Sequence, residues 1–199
     1  MGGGPLGTTS VIVAVAVVVV IVLLALFFAS RRRAAQRSEE QRERSREEFG
    51  SEYERTVEQR GSEEDAEREL RERRGSVERR IEPLSGESRG RFEERWTEVE
   101  QVFVENPERS LELADRTVSD LLSERRFVSE ASQSDEETEK SLAVVHPEVA
   151  DDYREARRIR AEVVGRSAGS AQTDSEESTE ELRQAIRKYR AVYERLLQQ

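Results

Sequence analysis

No cysteine occurs anywhere in the 199 residues, which excludes a disulfide framework, a thiolate nucleophile and any cysteine-ligated zinc or iron–sulfur site. Histidine occurs once, as His146, so no site can be built on paired histidines. Lysine is almost missing: of 33 basic residues only Lys140 and Lys188 are lysines, so the charge is arginine set against glutamate. No glycine-rich phosphate loop ending in Lys-Ser/Thr, no H-E-x-x-H and no G-x-S-x-G occurs. A nucleic-acid interface needs a basic stripe with interleaved aromatics, and here the arginines are matched locally by glutamates that would repel phosphate. These absences lead us to expect a non-enzymatic protein with no cofactor, no metal, no nucleic-acid partner and no evident small-molecule substrate.

What the chain does contain is unevenly divided. Residues 1–30 carry no charged side chain, and Val11–Ala29 is an unbroken run of nineteen apolar residues. As a helix it would reach about 28 Å at about 1.5 Å per residue, close to the hydrocarbon thickness of about 30 Å. In lipid the backbone must satisfy its own hydrogen bonds, which overrides the modest helix propensity of valine. A cleaved signal peptide would place positive charge before the run; here Arg31, Arg32 and Arg33 follow it. That polarity predicts one transmembrane helix in the cell membrane, with the short tail 1–10 outside and the rest cytoplasmic. The three arginines also suit anionic lipid headgroups.

Beyond the arginines the chain is polar. Leu, Ile, Val and Phe supply only 30 of the 166 residues in 34–199, which carry 30 basic and 43 acidic side chains. Composition alone would allow disorder, but periodicity argues against it. Residues 30–60 read as a charged juxtamembrane helix with pairs such as Glu40/Arg44, standing off roughly 45 Å. Gly61 breaks it, and a second charged stretch, 62–80, is interrupted at Gly75. Pro83 and Gly86 bracket a turn. Phe92, Trp96, Val99, Val102 and Phe103 then fall on one helical face, and Asn106-Pro107 supplies an N-cap and first helical position for a helix carrying Leu111, Ala114, Val118, Leu121 and Leu122. Residues 129–152 hold eight acidic residues against Lys140, and their first half reads as an exposed loop or weak helix. His146, before Pro147, sits at an element boundary, in a buried or capping role. Tyr153, Ala156, Ile159 and Val163 make a further stripe. Residues 165–177 read as a linker, and the capping box Ser178-Thr-Glu-Glu181 opens an amphipathic helix with Leu182, Ile186, Tyr189, Val192, Tyr193 and Leu196 on one face.

Several of these segments together resemble a family of small actinobacterial single-span membrane proteins with a charged cytoplasmic helical region. They are Phe49-Gly-Ser-Glu-Tyr-Glu-Arg-Thr-Val57, Ala66-Glu-Arg-Glu-Leu70, Ile81-Glu-Pro-Leu84, Arg95-Trp96 running to Phe103-Val104, Ala114-Asp115, His146-Pro147 with Tyr153-Arg154, and Glu181-Leu-Arg-Gln-Ala185 with Tyr189-Arg190. The resemblance implies membrane attachment and brings no activity, substrate or catalytic residue. Members usually carry a Gly-Tyr-Pro turn after the fourth helical stretch, where this chain has Arg126-Phe127-Val128.

The expected class is therefore all-α: a transmembrane helix (11–29), a charged juxtamembrane helix (30–60), a cytoplasmic helical module (61–164) and a C-terminal helix (178–199). With so little apolar material to bury its aromatics, the module offers Phe92, Trp96, Phe103, Leu182, Ile186, Tyr189 and Tyr193 as a candidate interaction face for a protein partner or a second copy, while the C-terminal helix is expected to dock its face on its own module in preference to a partner. A self-associating structural or envelope-stress protein is the alternative.

Overall fold

The computed structural model describes residues 39–128, 134–168 and 175–198. The expected span Val11–Ala29 and the flanking Arg31, Arg32 and Arg33 lie outside these residues. Among the described residues no helix is long and apolar enough to cross a membrane. The chain divides into two units at Arg44/Ser45. The described part of the first, 39–44, is helical, and all that follows concerns the second.

The described residues are all-α, with eight helices and no strand: α1 (39–49), α2 (Ser51–Arg60), α3 (Glu63–Glu78), α4 (Gly86–Glu105), α5 (Pro107–Glu124), α6 (Asp135–Val145), α7 (Pro147–Ala168) and α8 (Ser175–Leu197). Side chains start four of these helices. Ser62, Ser85, Asn106 and Ser134 each accept a hydrogen bond from the backbone N–H three residues on, which satisfies one of the orphan donors of a first turn. Pro107 occupies the first position of α5, where its missing N–H costs nothing.

Packing order follows from the buried faces. Helices α4 and α5 form a hairpin, as do α6 and α7, and α8 packs on the second helix of each, α5 and α7. On the far side α6 receives α3, and α3 receives α2. One continuous core runs through all of them. The stripes expected on α5, α7 and α8 are its centre: Leu111, Val118, Leu121, Tyr153, Ile159, Tyr189 and Leu196 are all buried. Trp96 of α4 stacks on Tyr193 of α8, ring centroids 4.4 Å apart, and Tyr153 of α7 meets the edge of Tyr189 of α8 at 6.2 Å.

The N-terminal side of the module departs from expectation. The charged helix expected to stand off through residue 60 stops at Phe49, and Ser51–Arg60 folds onto the module, so the compact unit starts at Ser45 rather than 61. Two features cause this. Gly50 takes φ 54, ψ −137, a conformation open essentially to glycine alone. On either side of it, Phe49, Tyr53 and Thr56 are buried, an apolar face that a free stalk would leave in water. Gly75, by contrast, does not interrupt α3, where Leu70 and Val77 two turns apart hold the helix on the core. Within the acidic stretch, Asp135–Val145 is a helix in which Leu142, Ala143 and Val144 are consecutive and all buried, because α6 is covered on two sides by α3 and α7. Such a segment has no single-face periodicity to read. Helix α7 continues to Ala168, four residues into the expected linker, and α8 begins at Ser175, ahead of the Ser178 box.

Gly50→Ala should destabilise the module by about 1–3 kcal/mol, because a Cβ there is strained at that φ and would stand 3.4 Å from the Cβ of Pro147; urea unfolding followed by circular dichroism checks it. Trp96→Ala should cost about 3–5 kcal/mol in the same assay, by loss of a buried ring and its stack on Tyr193.

Candidate functional site

Buried polar side chains concentrate in three places. The first is the junction of α5, α7 and α8. Asp115 lies on the inward face of α5 at helical spacing with Leu111, Val118 and Leu122, and its side chain is 13% exposed. Tyr189 of α8 donates its hydroxyl hydrogen to Asp115 Oδ1 at 2.7 Å. From α7, Arg160 Nε stands 3.2 Å from Oδ2 and Arg157 Nε stands 3.9 Å from Oδ1. Arg157 continues outward to Asp135 and to Glu139 of α6, the latter at 3.8 Å, and lies over the Tyr153 ring. Burial pushes the Tyr153 phenol up to about 12. Burial, then the charge of Asp115, raises the Tyr189 phenol further. Both tyrosines therefore remain neutral at physiological pH, as hydrogen-bond donors rather than bases. The nearest cleft, about 130 Å³ between α5 and α7, is lined by Leu111, Val163, Val164, Glu108, Glu112 and Arg160.

The second cluster ties α2 to the module. Glu52 is buried, with Arg154 Nη1 of α7 at 3.6 Å and Arg73 Nη1 of α3 at 3.7 Å. Burial raises its carboxyl above the ordinary value, the two arginines opposing that shift. Arg154 also donates to Ser51 Oγ at 2.7 Å, and Ser51 donates to Asp151 Oδ1 at 2.8 Å.

The third cluster surrounds the end of α8. Helix α5 closes with Arg126 at φ 58 and Phe127 N–H bonded to the Leu122 carbonyl at 2.9 Å, a left-handed helix stop that usually employs glycine. This is where the chain has Arg126-Phe127-Val128 rather than a Gly-Tyr-Pro turn. Arg125, 2% exposed, donates through Nη1 to the Leu196 carbonyl at 2.7 Å and lies over the Phe127 ring. It binds no carboxylate there. It meets the negative end of the α8 dipole instead, and burial, with Arg89 nearby, lowers its proton affinity. Arg80 holds the Phe127 carbonyl at 2.6 Å. His146 completes the group, its Nδ1 at 3.3 Å from both Arg195 Nε and Glu148 Oε1.

The expected interaction face is spent inside the module. Phe92, Trp96, Leu182, Tyr189 and Tyr193 are buried, and Phe103 and Ile186 are half-buried against the same core. The reason is α8: by packing on α5 and α7 it covers the stripes that looked unpartnered. Arg31, Arg32 and Arg33 lie outside the described residues. Sequence reasoning missed Asp115, Glu52, Arg157 and Arg125. A signal existed for the first two, since Asp115 and Glu52 each place a carboxylate within an otherwise buried stripe, Leu111/Asp115/Val118 and Phe49/Glu52/Tyr53/Thr56. Arg125 had none.

Among the described residues no group of three or more acidic or histidine side chains is placed to hold a metal ion. The arrangement in all three clusters is that of locks between helices. Each cluster joins charged side chains of different helices, and the cleft beside Arg160 does not bring a nucleophile and a base together. No known protein family, curated protein or solved structure matches the chain.

A double-mutant cycle on Tyr189→Phe and Asp115→Asn should return a coupling of about 1–2 kcal/mol in urea unfolding, as expected for a buried hydrogen bond to a charged acceptor. Additive single effects would mean that Asp115 is held by the arginines alone.

Proposed function

We propose that the chain is a single-span membrane protein whose all-helical cytoplasmic module binds other proteins through its charged surface and performs no catalysis. The observation that carries the reading is the direct succession of two unlike parts: nineteen apolar residues closed by Arg31, Arg32 and Arg33, then a module with a closed core of its own. The apolar run supports anchoring, since no apolar host of that size exists in the module to receive it. The arginines support a cytoplasmic module. The motif order that resembles the actinobacterial membrane family points the same way.

A binding role is supported by where the charges are. The buried charged groups Glu52 and Arg125 are locked inside the fold, whereas the outer surface is a lattice of exposed pairs such as Arg46–Glu54, Arg109–Glu112 and Arg190–Glu194. Exposed pairs of this kind are worth about 0–1 kcal/mol each. A partner of complementary charge can therefore exchange them for intermolecular pairs at little cost, which favours fast, salt-sensitive association. Self-association is the second reading, favoured by the isolated exposure of Val104 (84%) and Val164 (51%).

Two measurements on the full chain test this. A reporter fused after Gln199 should be active only in its cytoplasmic form, and replacing Arg31, Arg32 and Arg33 by Ser should scramble the orientation; activity solely on the outer side would overturn the topology. Crosslinking in cells, followed by extraction in mild detergent, should give a salt-sensitive complex with a different protein. A pure homo-oligomer would replace the adaptor reading with the structural one.

A further inference from the structure

The bend between α6 and α7 brings three parts of the module onto one buried residue. The His146 backbone N–H closes α6 on the Leu142 carbonyl at 2.7 Å, and its carbonyl accepts from Val149 and Ala150 N–H at 3.2 Å, opening α7. Pro147 beside it lies near the α1–α2 turn, where a Cβ added at Gly50 would come within 3.4 Å of the proline Cβ. The imidazole, 1% exposed, faces the Phe127 ring at 5.7 Å and, through Nδ1, the Arg195–Glu148 pair of α8 and α7. Its Nε2 has no hydrogen-bond partner.

The bend does not need an imidazole. The matching bend between α4 and α5 is Asn106-Pro107, with φ −146, ψ 86 at Asn106 against φ −131, ψ 65 at His146. There Asn106 Oδ1 does the capping, accepting from Arg109 N–H at 2.9 Å. Backbone geometry at the two bends is nearly the same, so what His146 adds is a titratable ring in a dry place.

We propose that His146 is a pH-sensitive joint: neutral, it seats the end of α8 on the α6–α7 bend, and on protonation it releases that end. The charged groups acting on the ring come from three elements. Arg195 of α8 and Arg125 at the end of α5 repel a second positive charge, and Glu148 of α7 attracts it. Glu148 is already engaged by Arg195 at 2.6 Å, so it offers an imidazolium only a shared partner. Because Nδ1 accepts from Arg195 Nε–H, the neutral ring carries its proton on Nε2, and an imidazolium would place its second N–H at Nδ1, against the Arg195 donor. Burial accordingly holds the ring's proton affinity below the usual histidine value of 6.5.

The sign of the effect follows from that direction. An unfolded chain protonates His146 near 6.5 while the folded module resists, so this contribution to stability is complete above pH 6.5 and is lost as pH falls toward the folded value. The lowered carboxylates Asp135, Asp151 and Glu69 withdraw their contribution only at lower pH, below their ordinary values of 3.8 to 4.5. Glu52, whose carboxyl is raised, shifts stability the opposite way on acidification.

One histidine and one tryptophan in the chain make the test direct. In the full chain in detergent micelles, histidine-labelled NMR gives a single imidazole titration, and Trp96 emission reports on α8 through its stack on Tyr193. Between about pH 7.5 and about pH 5, Trp96 emission should move to longer wavelength with the same midpoint as the imidazole, below 6.5. His146→Asn, the residue used at the other bend, should hold the short-wavelength emission throughout. Arg195→Gln, which removes one repelling charge and frees Glu148, should move both midpoints upward together; should H146N not fold, this variant carries the test. An imidazole that titrates with no change in emission, an emission transition that survives His146→Asn, or midpoints unmoved by Arg195→Gln would overturn the proposal.

Discussion

The seating of α8 between α5 and α7 is the contact on which the module depends. The two hairpins, α4–α5 and α6–α7, each present an apolar stripe that neither can bury alone, and α8 supplies the surface that both need. Its own stripe is two-sided. Tyr193 stacks on Trp96 toward one hairpin, and Tyr189 meets Tyr153 toward the other. Between them the Tyr189–Asp115 hydrogen bond fixes the rotation of α8, because a phenol and a carboxylate buried together must be paired to be tolerated. A stripe of aliphatic residues alone would fix the burial of α8 but not its register.

Arginine does a second kind of work here. With Leu, Ile, Val and Phe so scarce, the core is filled out by the stems and planes of arginines lying on aromatic rings: Arg74 over Phe49, Arg95 over Phe92, Arg125 over Phe127, Arg157 over Tyr153 and Arg183 over Phe103. A guanidinium is planar and weakly hydrated, so it can cover a ring with one face while its edge bonds a carboxylate or a carbonyl. A lysine ammonium cannot do both. The near absence of lysine, which at first only describes the composition, thus has a packing consequence.

The elements themselves were largely legible in the sequence. Helices α4, α5, α7 and α8 announced themselves through stripes such as Phe92/Trp96/Val99 and through the cap Asn106-Pro107, because these are local signals. Helix α6 was not, since Leu142-Ala143-Val144 is buried on more than one side and shows no period. Nor was the fold-back of α2: whether Phe49 and Tyr53 face water or a core depends on a surface made by α3 together with α6 and α7, the last of them about a hundred positions away. The candidate interaction face is largely buried because α8 docks on its own module, as expected of the C-terminal stripe, and supplies the half of the core that Phe92, Trp96 and Phe103 seemed to lack.

By itself the sequence determined the helical class, the punctuation at Asn106-Pro107 and His146-Pro147, and the separation of an uncharged N-terminal run from a charged remainder. Each rests on covalent or nearest-turn physics: proline geometry, capping and a helical repeat. Only the tertiary structure decided which stripes meet, that Asp115, Glu52 and Arg125 sit among apolar neighbours, and that His146 lies where α8, the α1–α2 turn and the α5 stop converge. Burial is a property of what lies across the gap, and a one-dimensional pattern does not contain the other side.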